Sequence, residues 1–312
     1  MAFDFDAAVV APFRMQPGLR RLHPGATHLT PSRPADAVVG AKLKVLRADF
    51  AQAFVAAAGF DAAPAVHALA GHASAEHPDA FERVGANTFH AKQLGWTLQD
   101  DRPQGDGPAE IGACLVSLPP AWRLAGLLSL AFAEDLALID RATGRIPWMA
   151  VCLPSSWAPE DKVGRRLAEI HAPVAENTAL VAASDALLRL VTGGDRWERF
   201  IWTLTADLHF DRHPRRALPV GRNADSGPAP LAATTFFRTE RQTFIPLPAL
   251  GQAVFTIHVE VQPLAVVIAS AARAARLHAA LASMSAEVLA YRRLGPARDR
   301  LLTWLAAYPA DA

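Results

Sequence analysis

The sequence predicts an α+β fold, because helical and strand-like segments occupy separate stretches of the chain. Helical spacing of apolar residues dominates before residue 134 and after residue 263, and the alternation typical of strands lies mainly between them. Such segregation favours an antiparallel sheet with helical N- and C-terminal extensions over an alternating parallel sheet. The 312 residues, 51% hydrophobic and 20% charged, can bury a large core in one or two domains.

The N-terminal part predicts an extended segment followed by helices. We expect residues 1–33, rich in Pro, Arg and His, to form an extended lead-in that packs on the outside. Apolar residues then recur at helical spacing, and a polar, glycine-containing stretch at residues 99–107 predicts a loop. The predicted helices cover residues 34–59, 62–71, 78–94 and 120–132.

Strand signals begin at a predicted hairpin. Its strands are residues 135–140 and 146–153, joined by a turn that contains Gly144. Alternating apolar residues in the segment 253–261 indicate a strand with one buried face. Further strands are predicted over residues 200–205 and 234–247, a loop over 209–230, and helices over 159–170, 177–191 and from 263 to near the C-terminus, with breaks at 283–285 and 295–296.

Composition argues against several classes of protein. Lys and Arg total 31 against 30 Asp and Glu, so no basic excess favours a nucleic-acid partner. The two cysteines, Cys114 and Cys152, are too few for a disulfide framework or a four-thiolate cluster, and their apolar surroundings predict inert buried thiols in a cytoplasmic protein. The acidic N-terminus and the apolar stretch 111–133, interrupted by prolines and an arginine, give no reason to expect a leader or a membrane partner.

The common nucleotide-binding and hydrolase motifs are missing from the sequence. It contains neither GxGxxG after a strand nor GxxxxGK[ST], and neither HExxH nor GxSxG. If the protein carries out redox chemistry, we therefore expect its electrons to come from another protein.

Histidines offer the first candidate site. His171 follows a predicted helix and is held near Pro173, which suits an axial metal or haem ligand, a general base or a structural turn residue. The spacing of His209 and His213 fits two zinc ligands on a helix, but they lie in a predicted loop without an obvious third ligand. Three further histidines, at residues 67, 72 and 77, match neither helix nor strand faces and predict a solvated surface.

The predicted strand 234–247 carries charges on both faces. Arg238 shares one face with Glu240, and Arg241 lies on the other. Arginines there suit either bidentate carboxylate binding or a structural ion pair with Glu240, and the pattern leaves both open. The tryptophans of the middle region, among them Trp157, suit the core or a flat cofactor slot.

An acidic pair precedes the first predicted strand. Glu134 and Asp135 could orient an amine, but a solvated helix end or turn is the expected setting for two adjacent carboxylates.

Seven sequence blocks together resemble the haem-dependent oxidative N-demethylase family. The resemblance extends over residues 34–294, and its most specific blocks are EIHAPV and ERQT. The blocks are residues 134–136 (EDL), 151–157 (VCLPSSW), 162–164 (KVG), 167–174 (LAEIHAPV), 238–243 (RTERQT), 247–248 (LP) and 254–257 (VFTI).

This resemblance implies a fold and an activity. It implies a PAS-like sheet over about residues 134–262, with residues 295–312 as a C-terminal helix on the same domain. It also implies haem b, O2-dependent removal of a methyl group from a small secondary amine such as dimethylamine, and release of formaldehyde. Such a monooxygenase would take electrons from partner subunits that carry flavin and an iron–sulfur cluster.

The resemblance also implies roles for particular residues. His171 corresponds to the axial iron ligand, with His258 as a rival, and Arg238 and Arg241 correspond to partners of haem propionates or of the polar pocket. Trp157 is expected beside the cofactor. The chain departs from the family pattern at Ala133, at residues 175–177 and at His258. These departures keep two alternatives open: a non-catalytic PAS-like module that binds haem or a small ligand, and a haem-free subunit.

Overall fold

Two antiparallel sheets organise the computed structural model, which describes residues 4–216 and 227–309. The strands are β1 (Arg20–Arg21), β2 (Phe54–Ala56), β3 (Phe81–Val84), β4 (Thr88–Ala91), β5 (Trp96–Gln99), β6 (Arg102–Gly105), β7 (Asp135–Asp140), β8 (Arg145–Ala150), β9 (Trp197–Thr205), β10 (Phe236–Leu247) and β11 (Gln252–Pro263). Within the described residues, the larger sheet has the order β1-β9-β10-β11-β7-β8-β2 and the smaller one β3-β4-β5-β6.

Helices precede, interrupt and follow the larger sheet, so the predicted α+β class is confirmed. They are α1 (Phe5–Ala8), α2 (Ala37–Asp49), α3 (Ala63–Glu76), α4 (Ala109–Ser117), α5 (Pro120–Ala131), α6 (Leu167–His171), α7 (Thr178–Ala182), α8 (Ser184–Val191), α9 (Pro228–Ala233), α10 (Leu264–Val267), α11 (Ala271–Ala282), α12 (Ala286–Tyr291) and α13 (Gly295–Ala306). None of the helices in the described ranges is long and apolar enough to span a membrane.

The centre of the larger sheet is a long hairpin of β10 and β11. The two strands pair over their full length, from Phe236 opposite Pro263 to Leu247 opposite Gln252. Gly251 ends the connection with a φ of +62°, which glycine adopts at little cost. This hairpin confirms the strands predicted from the alternation of apolar and polar residues.

The two faces of the larger sheet pack against different parts of the chain. Alternate residues of β7, such as Leu136 and Leu138, belong to the core formed with α2, α3, α4 and α5. Their neighbours Ala137 and Ile139 lie on the opposite face, in a core that α8 also contacts through Val191. The C-terminal helices form a third core against β9 and β10. The period of two along each strand therefore separates a helix-covered face from the face that carries the cavity described below.

The acidic pair before β7 is buried, so the prediction of a solvated turn was wrong. Asp135 accepts hydrogen bonds from the backbone N–H groups of Cys152 and Leu153, at 3.1 and 2.7 Å. The buried Lys42 of α2 lies 3.5 Å from that carboxylate. Burial raises the pKa of Asp135, and the Lys42 charge opposes the shift. The Glu134 carboxylate accepts from the Thr30 N–H at 2.9 Å.

The smaller sheet was not predicted. Residues 78–94 were expected to be helical, but they contain β3 and β4, and the predicted loop 99–107 contains β6. Short strands here pair locally, and Phe81 and Phe89 are buried against the helices of the first core. Tertiary burial of these two rings outweighs a weak helical pattern.

The N-terminal lead-in is part of the fold and does not pack only on the outside. Phe5 and Val9 are buried in the core with the C-terminal helices. Strand β1 extends the larger sheet by pairing with β9, with Arg20 opposite Glu198. The expectation of an external segment was wrong because a Pro- and Arg-rich stretch shows no period that would reveal its buried residues.

The remaining predicted elements differ in length: the strand predicted over residues 200–205 is the longer β9, whereas several helices are shortened or divided. The helix predicted over residues 34–59 ends at Asp49, since the chain then enters β2. The helices predicted over 159–170 and 177–191 are broken into short pieces, among them α6, α7 and α8. The predicted breaks near residues 283–285 and 295 separate α11, α12 and α13, and part of the predicted loop 209–230 lies outside the described residues.

Both cysteines are buried and unpaired, which confirms the prediction for them. Burial raises the pKa of the Cys114 thiol to about 11 and raises that of Cys152 further. Neither thiol is therefore ionised at neutral pH, and neither is a reactive nucleophile.

Candidate functional site

A cavity of about 980 Å³ lies against the face of the larger sheet opposite α2–α5. Its floor includes Ile139 and Met149, and its wall includes Phe244 and Phe255, whose rings stack at 5.1 Å. Residues between 7 and 20 of the N-terminal lead-in form another side of the cavity. The volume and the apolar lining are typical of pockets for a cofactor or a large organic ligand, which span about 300–1,000 Å³.

His171 lines this cavity as the last residue of α6. The helix is fixed by a capping box in which Glu169 accepts from the N–H of Arg166 at 2.7 Å. The buried Nδ1 atom of His171 has no hydrogen-bond partner among the described residues. Burial, and then the charges of Arg199 and Lys162, lower the pKa of His171 to about 4. The ring is thus neutral at physiological pH, the state in which an imidazole nitrogen can bind a metal.

Trp157 also lines the cavity, so the structure brings it together with His171 as the sequence suggested. The Lys162 ammonium lies 5.8 Å from the centre of the Trp157 ring and donates to the Ile170 carbonyl at 3.4 Å. Burial lowers the pKa of Lys162. These contacts hold the segment between β8 and α6 over one side of the cavity.

Arg238 reaches the cavity from β10, but most of its N–H groups donate hydrogen bonds to the protein itself. Its guanidinium donates to the Ser155 hydroxyl at 2.7 Å and to the carbonyls of Leu153, His209 and Phe210 at 2.9–3.1 Å. These bonds use four of its five N–H groups. Arg238 therefore positions the loops around Ser155 and Phe210 and has at most one N–H for a ligand.

Further arginines at the cavity were missed in the sequence, among them Arg199 and Arg292. Arg199 of β9 donates to the Gln242 amide oxygen at 2.6 Å, and Arg292 lies 4.5 Å from the centre of the Phe13 ring. The buried Nε of Arg292 has no hydrogen-bond partner in the described part of the chain. Removal from bulk water lowers the pKa of Arg199, and lowers that of Arg292 to about 10, but both stay charged at neutral pH.

The charges at the cavity do not balance. Arg199, Arg238 and Arg292 have no carboxylate within ion-pair distance, 4.0 Å, among the described residues. Glu240, which accepts from Gln242 at 2.6 Å, is the only acidic side chain in the described lining. Arginine side chains outnumber the one carboxylate of the described lining, and this excess of positive charge favours an anionic ligand. The alternation of charges in β10 could have signalled Glu240, but Arg199 lies on another strand and gave no local signal.

Arg241 and His258 do not reach the cavity. Arg241 lies on the opposite face of the sheet, donates to the Glu198 carboxylate at 3.0 Å and to the Thr27 carbonyl at 2.8 Å. His258 is its register partner on β11, with Nδ1 3.5 Å from a Glu134 oxygen. Arg241 and His258 therefore lie outside this cavity, because an odd separation along β10 places Arg241 and Arg238 on opposite faces of the sheet.

Two of the three departures from the family pattern, Ala133 and residues 175–177, lie at separate places, and the third, His258, lies on β11 as described above. Ala133 is buried beside β7, on the helix side, and its N–H donates to the Thr30 carbonyl at 2.9 Å. Residues 175–177 form the turn after His171, where Glu176 has a φ of +51° and the Asn177 amide donates to the Ala172 carbonyl. This turn joins α6 to α7.

The other histidines flagged in the sequence lie apart from the cavity. His213 is buried and pairs with Glu160 at 3.1 Å, whereas the His209 side chain is 69% exposed. The two do not form a metal site with each other. His72 and His77 are only partly exposed and contact Glu76, so the prediction of a solvated surface was wrong for them.

Residues 51–302 match the family model for haem-dependent oxidative N-demethylase, alpha subunit-like. This match covers most of the chain, and the chain belongs to that family. The family name indicates haem dependence and implies a multi-subunit enzyme. No curated protein matches the chain.

Proposed function

We propose that the chain is the haem-binding subunit of an oxidative N-demethylase. It would remove a methyl group from a small secondary amine such as dimethylamine, use O2 as a monooxygenase does, and release formaldehyde. Membership in the family and a cofactor-sized cavity support this proposal. The proposal includes a PAS-like arrangement of the larger sheet. It also includes a cytoplasmic location, which the two free cysteines support.

The observation that carries the proposal is the imidazole of His171. An imidazole must be neutral for one of its ring nitrogens to bind a metal. Here the ring is neutral and faces a cavity with an apolar floor. Haem needs one such axial ligand and an apolar slot, so the residues present fit the group. We assign His171 as the axial ligand of haem b, with Trp157 beside the cofactor.

The excess of positive charge supports the same assignment. A haem carries two propionates, and the cavity is lined by seven arginines and Lys162 but by one carboxylate among the described residues, so positive charge remains after Arg20 and Arg212 pair with nearby acids. Arg199 and Arg292 have N–H groups available for these propionates, whereas Arg238 is occupied by the loops it positions. Charge-assisted hydrogen bonds of this kind both bind and orient a carboxylate.

When bound, haem would supply the reductive activation of O2, and the chain would hold the amine in the cavity beside it. The stacked rings of Phe244 and Phe255 would offer an apolar surface to the methyl groups. Electrons would come from partner subunits that carry flavin and an iron–sulfur cluster, as the resemblance implies, and the missing dinucleotide motif agrees with an external source.

The activity is tested with protein reconstituted with haem b and supplied with an artificial electron donor. We expect formaldehyde release and O2 consumption that depend on dimethylamine or a similar small amine. The variant His171→Ala should lose this activity, whereas His258→Ala should keep it because His258 lies on the other face of the sheet. Haem binding without amine-dependent turnover, with any donor, would contradict the enzyme and indicate a non-catalytic haem module.

A further inference from the structure

A cluster of histidines and one glutamate lies outside the cavity. His28 comes from the lead-in, and His72 and Glu76 lie one turn apart on α3. The Nδ1 atom of His28 is 3.1 Å from Nε2 of His72 and 3.2 Å from Oε1 of Glu76. The remaining pair, Nε2 of His72 and Oε1 of Glu76, is 3.6 Å apart. Three potential metal ligands thus form a small, nearly equilateral triangle.

The size of this triangle matches the coordination sphere of zinc. Nitrogen and oxygen ligands bind Zn²⁺ at about 2.0–2.2 Å, so two ligands at the tetrahedral angle lie about 3.4 Å apart. The three observed separations, 3.1, 3.2 and 3.6 Å, bracket that value. Hydrogen bonds explain the triangle less well. Nδ1 of His28 carries one proton at most, and that proton cannot be donated fully to both Nε2 of His72 and Oε1 of Glu76.

We propose that His28, His72 and Glu76 bind a divalent transition-metal ion of the zinc type, with water in the fourth position. Two histidines and one carboxylate are a recurrent ligand set for zinc. The site is separate from the haem cavity and goes beyond the proposed function, because the His28 carbonyl is contacted by Thr243, on the helix-covered face of β10.

The protein holds the three ligands in place without an ion. The Glu76 carboxylate accepts from the backbone N–H groups of His28 and Leu29 at 2.9–3.0 Å. The His28 side chain is 2% exposed, and its ring meets that of His72 edge to face at 4.9 Å. Neighbouring groups that orient the ligands in this way raise metal affinity.

Arg196 is the competing cation. Its guanidinium lies 3.3 Å from Nε2 of His28 and 3.6 Å from Oε1 of Glu76, where it balances the carboxylate in the absence of an ion. The Arg196 side chain is 39% exposed, so it can turn towards solvent. An ion on Nδ1 of His28 requires the proton on Nε2, and that proton would displace the arginine. Metal and Arg196 therefore compete for the same ligands.

The site would join two separate segments. The lead-in carries His28, and α3 carries the other two ligands, so a bound ion would link the lead-in to α3. Since an ion binds only when both segments are in place, it would stabilise the folded protein by an amount that grows with the logarithm of the free ion concentration divided by Kd.

The experiment is a Zn²⁺ titration of chelator-treated protein by calorimetry, with metal content measured after dialysis. Wild type should bind one equivalent, and His72→Ala should bind at least about 10-fold more weakly. The matched control is His67→Ala on the same helix, whose ring contacts Phe89 and not the cluster. It should bind as wild type does. Equal losses in the two variants, or no saturable binding by wild type, would overturn the proposal.

A third variant tests the competition directly. Arg196→Gln removes the positive charge beside the ligands and should bind Zn²⁺ about 10-fold more tightly than wild type. Co²⁺ in place of Zn²⁺ should give the visible absorption of a tetrahedral site in the same variant. Affinity that is unchanged or lower in Arg196→Gln would contradict the competition between the metal ion and Arg196.

Discussion

Arg238 and Arg241 are three residues apart on β10, and this odd separation gives them different environments. Arg238 faces the cavity and fixes two loops with four hydrogen bonds. Arg241 faces the helix-covered side and pairs with Glu198 in a site where both side chains are at most 4% exposed. A buried ion pair contributes little net stability, but the removal of one partner leaves an uncompensated charge.

Arg241→Met should therefore affect stability and leave the cofactor site intact. We expect the free energy of unfolding to fall by about 3 kcal/mol, the lower end of the range for broken buried pairs, because Arg20 still contacts Glu198. Urea denaturation of the haem-free protein measures this change. Haem affinity of the folded variant should equal that of wild type. A large loss of haem affinity with unchanged stability would place Arg241 at the cofactor.

Arg199 and Arg292 are expected to act on the cofactor instead. Loss of a hydrogen bond to a charged group costs about 1.5–3 kcal/mol, so Arg199→Gln and Arg292→Gln should each weaken haem binding about 10- to 100-fold in a haem titration. Arg21→Gln is the control, since Arg21 is exposed and pairs with Asp195. Unchanged haem affinity in both cavity variants would exclude these arginines as propionate partners.

The low pKa of His171 makes the stability of the haem-free protein depend on pH. The pKa is about 4 in the folded protein against 6.5 for the unperturbed side chain, so the unfolded chain takes up the proton first as the pH falls. The neutral His171 imidazole therefore contributes fully to the free energy of unfolding above pH 6.5. This contribution is lost towards pH 4, with about 2 kcal/mol lost by pH 5.

Comparison with His171→Ala isolates this effect from other titrating groups. Urea denaturation at pH 7 and pH 5 should show that the variant loses about 2 kcal/mol less stability than wild type over this interval. An equal loss in both proteins would mean that the His171 imidazole is solvated and not buried.

At the scale of the elements, the sequence predicted the long strands and missed the short ones. Strands β10 and β11 each span twelve residues, so their alternation is unambiguous. Strands β3 to β6 span four residues each, and four residues do not distinguish a period of two from one of 3.6. Their pairing depends on the burial of Phe81 and Phe89 by distant helices, which no local pattern reveals.

Helix α2 joins the sheet through one buried lysine. The Lys42 ammonium donates to the carbonyls of Ser129, Phe132 and Glu134 at 2.7–3.1 Å, and it lies 3.5 Å from the Asp135 carboxylate. Lys42 therefore donates hydrogen bonds both to carbonyl groups at the end of α5 and to the carbonyl group just before β7.

Lys42→Met should weaken this junction. We expect a loss of about 3–5 kcal/mol in the free energy of unfolding, because Asp135 stays buried without its cation. Lys44→Met, at an exposed position of the same helix, should change it by less than about 0.5 kcal/mol. Equal effects of the two substitutions in thermal or urea denaturation would show that the Lys42 contacts do not stabilise the junction.

At the scale of the whole molecule, the cavity is built from parts far apart in the sequence. His171 and Trp157 come from the segment after β8, Arg199 from β9, and Arg292 from the C-terminal helices. The motif around His171 allowed this residue to be named from the sequence, and alternation placed Arg238 and Arg241 on different faces. The convergence of Arg199 and Arg292 needed the tertiary fold, since neither carries a local signature.

The central claim is that His171 binds the iron of a haem held in this cavity. The most direct measurement is an absorption titration of the haem-free protein with haem b, followed in wild type and His171→Ala. We predict a saturable Soret band at one equivalent in wild type, and a band that is lost or shifted in the variant. An identical spectrum and affinity in the two proteins would contradict the claim, as would the absence of saturable binding by wild type.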